Sequence, residues 1–382
     1  MANIDQAHKE IDLTGAFEKV QKLLKDSGIN AKLNVLIAGA AGVGKSTLIN
    51  AIFGKETAQT GQGSAVTQET KEYIINENFS IFDTKGLEAD DFQNTMAKIE
   101  NFLAEKQKEK TDEQIHIAWL CISEPSRRTE NGEKPLVRLL KKYNISTLIV
   151  ITKAEQDKDE KGEKFSDKVK KIFAEYGTKE DEVIRVRAIS IEDDDGHIKP
   201  VMGIDELLKK TYELLPKAQQ QALIREQKAD KELKKKEATK WVNYHSGIAG
   251  AIAANPIPFS DIALLLPQQL AMMYQLSRIY NIELSKENAT QLITAFGATI
   301  ATGFAARVVA GALKLIPGVG TIAGGAIGAG VASTTTKLMG QAYISYLDAN
   351  FKEIAQGVFK PSEEGYKKYL DKKEIQAQIE KA

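Results

Sequence analysis

The chain has 382 residues, with 52 basic and 52 acidic side chains and a formal net charge of zero. That length accommodates two or three domains, and the charge balance gives no global basis for nucleic-acid binding. The single cysteine, Cys121, excludes a disulfide framework within one chain; it lies in the apolar run 116–122 and reads as a buried strand residue of a reducing compartment.

In chain order, residues 1–15, MANIDQAHKEIDLTG, carry acidic groups and no apolar stretch. They do not read as a secretory signal, and cytosolic synthesis is expected. Within 1–29, Ile11, Phe17, Val20, Leu23 and Leu24 recur at mostly helical spacing and Gly28 supplies a stop, which predicts an amphipathic helix. Residues 33–47, LNVLIAGAAGVGKST, then join a buried strand to a glycine-rich turn and the start of a helix. Gly39, Gly44, Lys45 and Ser46 fit the phosphate-loop pattern G-x-x-x-x-G-K-[ST]. Gly39, Gly42 and Gly44 let bare backbone wrap phosphates, so that N–H groups and a helix N-terminus face negative charge. Lys45 would reach the β and γ phosphates of a nucleoside triphosphate and Ser46 would ligate Mg²⁺.

Residues 54–70 are polar and rich in Gly and Thr, the composition of a mobile loop. A loop that senses nucleotide state needs a hydroxyl for Mg²⁺ and the γ phosphate; Thr60, Thr67 and Thr70 are candidates, and Thr67 is favoured because it precedes the extended segment 72–75. The strand 79–82 ends in Asp83-Thr84-Lys85-Gly86. There Asp83 can hold a Mg²⁺-bound water while the Gly86 N–H approaches the γ phosphate. Leu87 cannot orient an attacking water, so hydrolysis must borrow a polar group from another loop, a second subunit or a regulator.

A helix is predicted over 94–110 and a strand over 116–122. The loop 123–134 follows, in which Arg127 and Arg128 either face phosphate or a second subunit or are solvated surface. After a helix over 136–143 and a strand over 146–151 comes Thr152-Lys153-Ala154-Glu155. The Glu155 carboxylate can accept from N1 and N2 of guanine with the Lys153 stem over the ring; the bland alternative is the start of a charged tract. A short strand over 183–188, an acidic surface loop with Asp193, Asp194 and Asp195, and a helix over 203–215 ended by Pro216 complete an α/β domain with a mostly parallel sheet, 30–216.

The second half changes character. Residues 217–245 predict a charged linker helix, in which Arg225, Lys228, Lys231, Lys234, Lys235, Lys236 and Lys240 form either a solvated surface or a platform for anionic headgroups. Residues 246–382 predict an all-helical domain rich in Gly and Ala. Its apolar sequence is interrupted at 256–261, which favours a helical hairpin, and continues in a third helix over 288–315 and a polar helical tail over 341–382. The segment 315–336 has no charge, and Gly320, Gly324 and Gly328 repeat at four-residue spacing. Its length permits a membrane span, whereas its composition suits a soluble bundle with tight seams; both readings stand at this point.

With GAAGVGKS, DTKG and TKAE in order, residues 30–216 resemble the small Ras-like GTPases of the Era and TrmE type. The resemblance implies a P-loop G domain that binds GTP and GDP with Mg²⁺. It places the phosphate loop on Gly39 to Thr47, Val43 included, the metal-sensing threonine on Thr67 and the γ-phosphate turn on Asp83 to Gly86. The guanine motif falls on Thr152, Lys153, Ala154 and Glu155, with an acid one methylene longer than usual. The Ser-Ala turn beside the base falls on Arg187 and Ala188, and Gly42 stands where potassium-activated members have Asn. The second half looks like the uncharacterised helical domain of YcjF-type bacterial inner-membrane proteins, through NPIPFSD at 255–261, LIPGVG at 315–320 and TTTKLMGQAY at 334–343.

The expected function is a slow or partner-activated GTPase acting as a switch for self-association or membrane contact. The alternatives are a GTP-dependent structural protein with negligible turnover, or an ATPase. Expected partners are a second copy of the chain, an anionic membrane surface or another protein, in the cytoplasm or at the inner membrane; nucleic acid is disfavoured.

Overall fold

Six consecutive buried residues, Leu33–Ala38, form β1, a composition suited to a strand covered on both faces. The computed structural model describes residues 31–54, 64–65, 70–84, 92–129, 132–192, 195–254, 260–301 and 329–381. The helix expected over 1–29, together with Thr60, Thr67, Gly86, Leu87 and residues 302–328, lies outside the described residues.

Around β1 stand β2 (Ser64–Ala65), β3 (Thr70–Asn76), β4 (Phe79–Thr84), β5 (Ile117–Ser123), β6 (Ser146–Thr152) and β7 (Val183–Arg185). The sheet order is β2-β3-β4-β1-β5-β6-β7, antiparallel where β3 meets β2 and β4, and parallel elsewhere. The helices of this unit are α1 (Lys45–Phe53), α2 (Phe92–Lys108), α3 (Glu133–Lys142), α4 (Phe165–Ala174), α5 (Ile204–Leu214) and α6 (Lys217–Glu226).

The two-residue period of the strands divides the core. Leu36, Phe82, Leu120, Ile122 and Ile149 pack on one face with Phe102, Leu136, Leu140 and Phe173 from α2, α3 and α4. On the other face Phe53 of α1 lies 4.5 Å from the Phe79 ring and 6.2 Å from Trp119, whose indole N–H donates to Thr211 of α5 at 3.1 Å. Cys121 is buried in β5, as its apolar surroundings imply.

The charged helix expected over 217–245 is two elements. Helix α6 ends at Glu226, and α7 (Lys231–Ala253) begins a separate unit. The break follows from what α6 covers: Ala222, Leu223 and Ile224 are fully buried, Gln219 reaches the Lys32 carbonyl, and the Lys228 N–H donates to the Ile52 carbonyl at 2.7 Å. Two of the basic residues considered as a headgroup platform are turned inward. Arg225 pairs with Glu226 at 2.7 Å, and Lys234 is 1% exposed with its ammonium on the Ile279 carbonyl at 2.7 Å.

The second unit is helical throughout its described part. After α7 come α8 (Ser260–Ile279), α9 (Lys286–Ala301) and α10 (Ala329–Ala349), then the short α11 (Phe351–Ala355), α12 (Glu363–Lys367) and α13 (Lys372–Glu380). The polar tail expected to start at 341 is thus the end of α10 and three short helices. Close packing relies on small residues: a Cβ on Gly340 would sit 2.5 Å from Val242 and 3.0 Å from the Met272 sulfur. A buried hydroxyl pair, Ser277 with Tyr343 at 2.8 Å, adds a polar tie between α8 and α10. Gln269 is fully buried, and neither of its amide atoms has a partner among the described residues. Among the described residues no helix is long and apolar enough to cross a membrane.

Candidate functional site

The carboxyl ends of β1, β4, β5 and β6 meet along one edge of the sheet, where open parallel sheets place their ligands. Gly39 follows β1 with φ at 143°, and a Cβ there would fall 2.4 Å from the Cys121 carbonyl oxygen. Only glycine fits that approach. Gly44, with φ at 102°, caps α1, and Ser46 and Thr47 are exposed in its first turn. Burial pushes the Cys121 thiol beneath the loop up to about 12, so it stays protonated and inert.

Lys45 folds back across this loop. Its ammonium donates to the carbonyls of Gly39 at 2.8 Å and Ala40 at 3.2 Å, and lies 3.8 Å from the Asp83 carboxylate. Asp83 reaches that position because the β1–β4 register sets it beside Ile37. Mg²⁺ takes one or two protein oxygens and completes its shell with phosphate and water. The exposed Ser46 hydroxyl and the Asp83 carboxylate match that donor set, and among the described residues no cluster of three or more His, Cys, Asp or Glu could hold a metal by itself. Thr67 and Gly86, expected to join them, lie outside the described residues.

Thr152, the last residue of β6, connects the phosphate loop to the loop after β6. Its buried hydroxyl donates to the Val43 carbonyl at 2.5 Å, with the Ile122 carbonyl at 3.2 Å. Lys153 has φ at 53°, and its stem lies over Gly44, where an added Cβ would meet Lys153 Cε at 3.8 Å. The Glu155 N–H donates to Glu124 at 2.6 Å, and the Glu155 carboxylate accepts from Lys199 at 3.1 Å. A cavity of about 300 Å³ runs from Gly44 and Thr47 to Lys153, Glu155, Arg187 and Ala188.

Several side chains have roles that differ from the sequence expectation. Arg187 is 9% exposed; its guanidinium donates to the Ala154 and Pro200 carbonyls, each at 2.7 Å, so it fastens backbone rather than presenting charge. Arg127 donates to the carbonyls of Gln156, Asp157 and Lys158 and so belongs to the loop after β6. Arg128 lines a smaller cavity of about 190 Å³ with Ala41, Gly42 and Glu133. The acidic segment read as a surface loop contains a hairpin, β8 (Ile191–Glu192) against β9 (Ile198–Lys199). Its Asp-Gly pair at 195–196 is the turn signal that could have found it.

Sequence reasoning also missed the carboxylates behind the Glu155 loop. Glu124 is 1% exposed and accepts from both Glu155 N–H and Arg185 Nε, the latter at 2.6 Å. Asp157 accepts from the Ser166 amide and hydroxyl at 2.8 and 2.7 Å. Burial opposes the charged form of Asp157, but those two bonds and the nearby Arg185 outweigh it and hold the carboxyl below its ordinary range. No spacing rule marks Glu124, because its partners come from two other strand ends.

A family profile described as "50S ribosome-binding GTPase" matches residues 34–153, the stretch that contains the phosphate loop, Asp83 and Lys153. Residues 34–153 form a P-loop GTPase domain. A second profile, "Domain of unknown function (DUF697)", matches residues 218–363, so the GTPase domain is fused to a separate helical domain. GTPase Der of Thermotoga sp. strain RQ2 is 31% identical over 126 residues, 32% of this chain and 27% of Der. A probable GTP-binding protein, EngB of Kosmotoga olearia, is 25% identical over 130 residues, 33% of this chain and 65% of that protein. The similarity thus spans about a quarter of the first relative and just under two thirds of the second. Among solved structures, the G domain of the T. maritima FeoB iron transporter aligns at 18% identity over 48% of this chain and 98% of that one, with a TM-score of 0.28.

Proposed function

We propose that the protein binds GTP and GDP with Mg²⁺, hydrolyses GTP slowly in the absence of a partner, and uses the nucleotide state to control self-association or contact with an anionic membrane surface. The observation that carries this reading is the single cavity joining Gly44 and Thr47 of the phosphate loop to Lys153, Glu155 and Ala188. A triphosphate alone needs only the loop; a cavity that continues to a carboxylate also suits a base that offers two donors.

Each residue then has a physical task. The N–H groups around Gly42, Val43 and Gly44 and the start of α1 face the phosphates, and Lys45 exchanges its loop carbonyls for β- and γ-phosphate oxygens. Ser46, Asp83 and Thr67 would hold Mg²⁺, which supplies neutralisation of the phosphate charge when bound. Lys153 covers the ring, and Glu155 accepts from the two guanine donors. Leu87 supports slow turnover, because the group that orients the attacking water must come from another loop, a second copy or another protein.

Base choice is tested by comparing GTP and ATP affinity in the parent chain and in Glu155→Ala. Hydrogen bonds to a charged acceptor contribute about 1.5–3 kcal/mol each, so losing both, roughly 3–6 kcal/mol, should cost the variant about 100-fold or more of the preference for GTP. Equal affinities for the two nucleotides in the parent chain would refute guanine recognition. The membrane output rests on the uncharged segment 315–336 and on Lys235, Lys236 and Lys240, which remain exposed on α7. Vesicles containing phosphatidylglycerol should carry the protein upward in a flotation gradient in one nucleotide state and not in the other. Absence from the vesicle fraction in both states sinks that part of the proposal.

A further inference from the structure

The hairpin β8–β9 stands at the far wall of the cavity, and two independent ties hold it there. Ile189 and Ile191 line the cavity, and the β register sets Lys199 directly opposite Ile191. The first tie is Arg187, whose main chain exchanges hydrogen bonds with Met202 at 3.0 and 3.1 Å. Its guanidinium joins the Pro200 carbonyl, next to the hairpin, to the Ala154 carbonyl, next to Glu155. The second tie is the ion pair from Lys199 Nζ to Glu155 Oε1 at 3.1 Å.

The backbone around Glu155 is already fixed from two sides. The Ala154 N–H donates to the Val186 carbonyl at 3.1 Å, and the Glu155 N–H donates to the buried Glu124 carboxylate at 2.6 Å. Those bonds leave the Glu155 side chain unrestrained by its own backbone, and it has one more rotor than an aspartate at the same place. Ordering a glutamate side chain costs conformational entropy. A bond to Oε1 restricts those rotors while leaving Oε2 and the second lone pair of Oε1 available to donors from the cavity.

We propose that Lys199 is a specificity-determining positioning residue, which holds the Glu155 carboxylate at the mouth of the cavity in the orientation that accepts the two donor groups of a guanine base. This rests on the reading of Glu155 as the base acceptor. Arg187 serves the same end through the backbone, bringing β9 and the Glu155 loop into register. The lysine side chain is 34% exposed and the glutamate 47%, so the pair is weak and sensitive to salt.

The test is equilibrium binding of GDP, inosine diphosphate and ADP to the full chain at low salt. Lys199→Ala should weaken GDP about two- to fivefold and leave ADP unchanged, which narrows the GDP-to-ADP preference. Inosine diphosphate lacks the 2-amino donor and should weaken less than GDP. Lys199→Arg should restore the preference, and Lys199→Glu should reduce it further by repelling Glu155. High salt should reduce the parent preference toward that of Lys199→Ala. An unchanged preference in Lys199→Ala, or tighter GDP binding, would overturn the proposal; the latter would make Lys199 a competitor of the base. Loss of preference in Glu155→Ala without loss in Lys199→Ala overturns this inference alone. Equal affinity of the parent chain for GDP and ADP overturns the base reading and this inference with it.

Discussion

Lys45→Ala is expected to weaken GTP binding at least 100-fold. The Lys45 ammonium sits among three oxygen partners, the carbonyls of Gly39 and Ala40 and the carboxylate of Asp83, at 2.8, 3.2 and 3.8 Å. None of these requires it there when a triphosphate offers β and γ oxygens in their place. Two charge-assisted hydrogen bonds of about 1.5–3 kcal/mol each give roughly 3–6 kcal/mol, which is 100-fold or more in affinity. The cost to the fold is smaller, about 1–2 kcal/mol for two carbonyls that lose a donor at the rim of the site. Titration calorimetry with a non-hydrolysable GTP analogue, paired with a thermal melt, separates the two effects. Affinity within threefold of the parent chain, in a variant that melts normally, would remove Lys45 from the phosphate site.

The phosphate loop was legible because its chemistry is local. Gly39, Gly42, Gly44 and Lys45 form one sequence motif, and the positive φ values of the three glycines follow from it. The parallel strands were legible for a related reason: runs such as 148–151 are covered on both faces and therefore read as continuous apolar sequence. The far end of the cavity was less legible, since it is assembled from distant segments. Glu124 follows β5, Glu155 follows β6, Arg185 closes β7 and Lys199 closes β9 of the separate hairpin, and only the tertiary fold brings these four together. Arg187 shows the same limit from the other side. The resemblance placed it at a turn of the site, and it does line the cavity, but its use as a staple depends on the Pro200 carbonyl, which no local pattern predicts.

The charged segment 217–245 was misread as one helix for a thermodynamic reason. Helix propensity and charge alternation persist across residues 227–230, so nothing in the local sequence demands a stop. The stop is imposed by one tertiary bond and the local turn it permits: the Lys228 N–H is taken by the Ile52 carbonyl, and the Gln227 side-chain oxygen accepts from the neighbouring Ala229 and Asp230 N–H groups at 2.9 and 2.8 Å. Helix α6 therefore belongs energetically with the sheet, although the family profile for the helical domain begins at residue 218.

His245 should give the helical unit a stability limit on the acid side. The ring is 6% exposed on α7, its Nδ1 is paired with the Gln268 amide at 2.7 Å, and Trp241 and Tyr244 pack beside it at 6.0 and 5.5 Å. Burial lowers its pKa to about 4 from an ordinary value of 6.5. Above 6.5 the ring is neutral in both the folded and the unfolded chain, and the full stability is present. As pH falls from 6.5 toward 4, the unfolded chain takes up a proton that the folded chain refuses, and stability declines by about 1.4 kcal/mol per pH unit. Between pH 6.5 and 5 that amounts to about 2 kcal/mol, before most carboxylates begin to titrate. His245→Gln keeps a polar partner for Gln268 and removes the titration. Urea unfolding at pH 7 and pH 5 should therefore show the parent chain losing about 2 kcal/mol more than the variant. His116, also lowered chiefly by burial, acts with the same sign in the sheet unit and is common to both proteins, so it cancels in the comparison. Equal losses in the two proteins would mean that the His245 ring is hydrated and titrates normally.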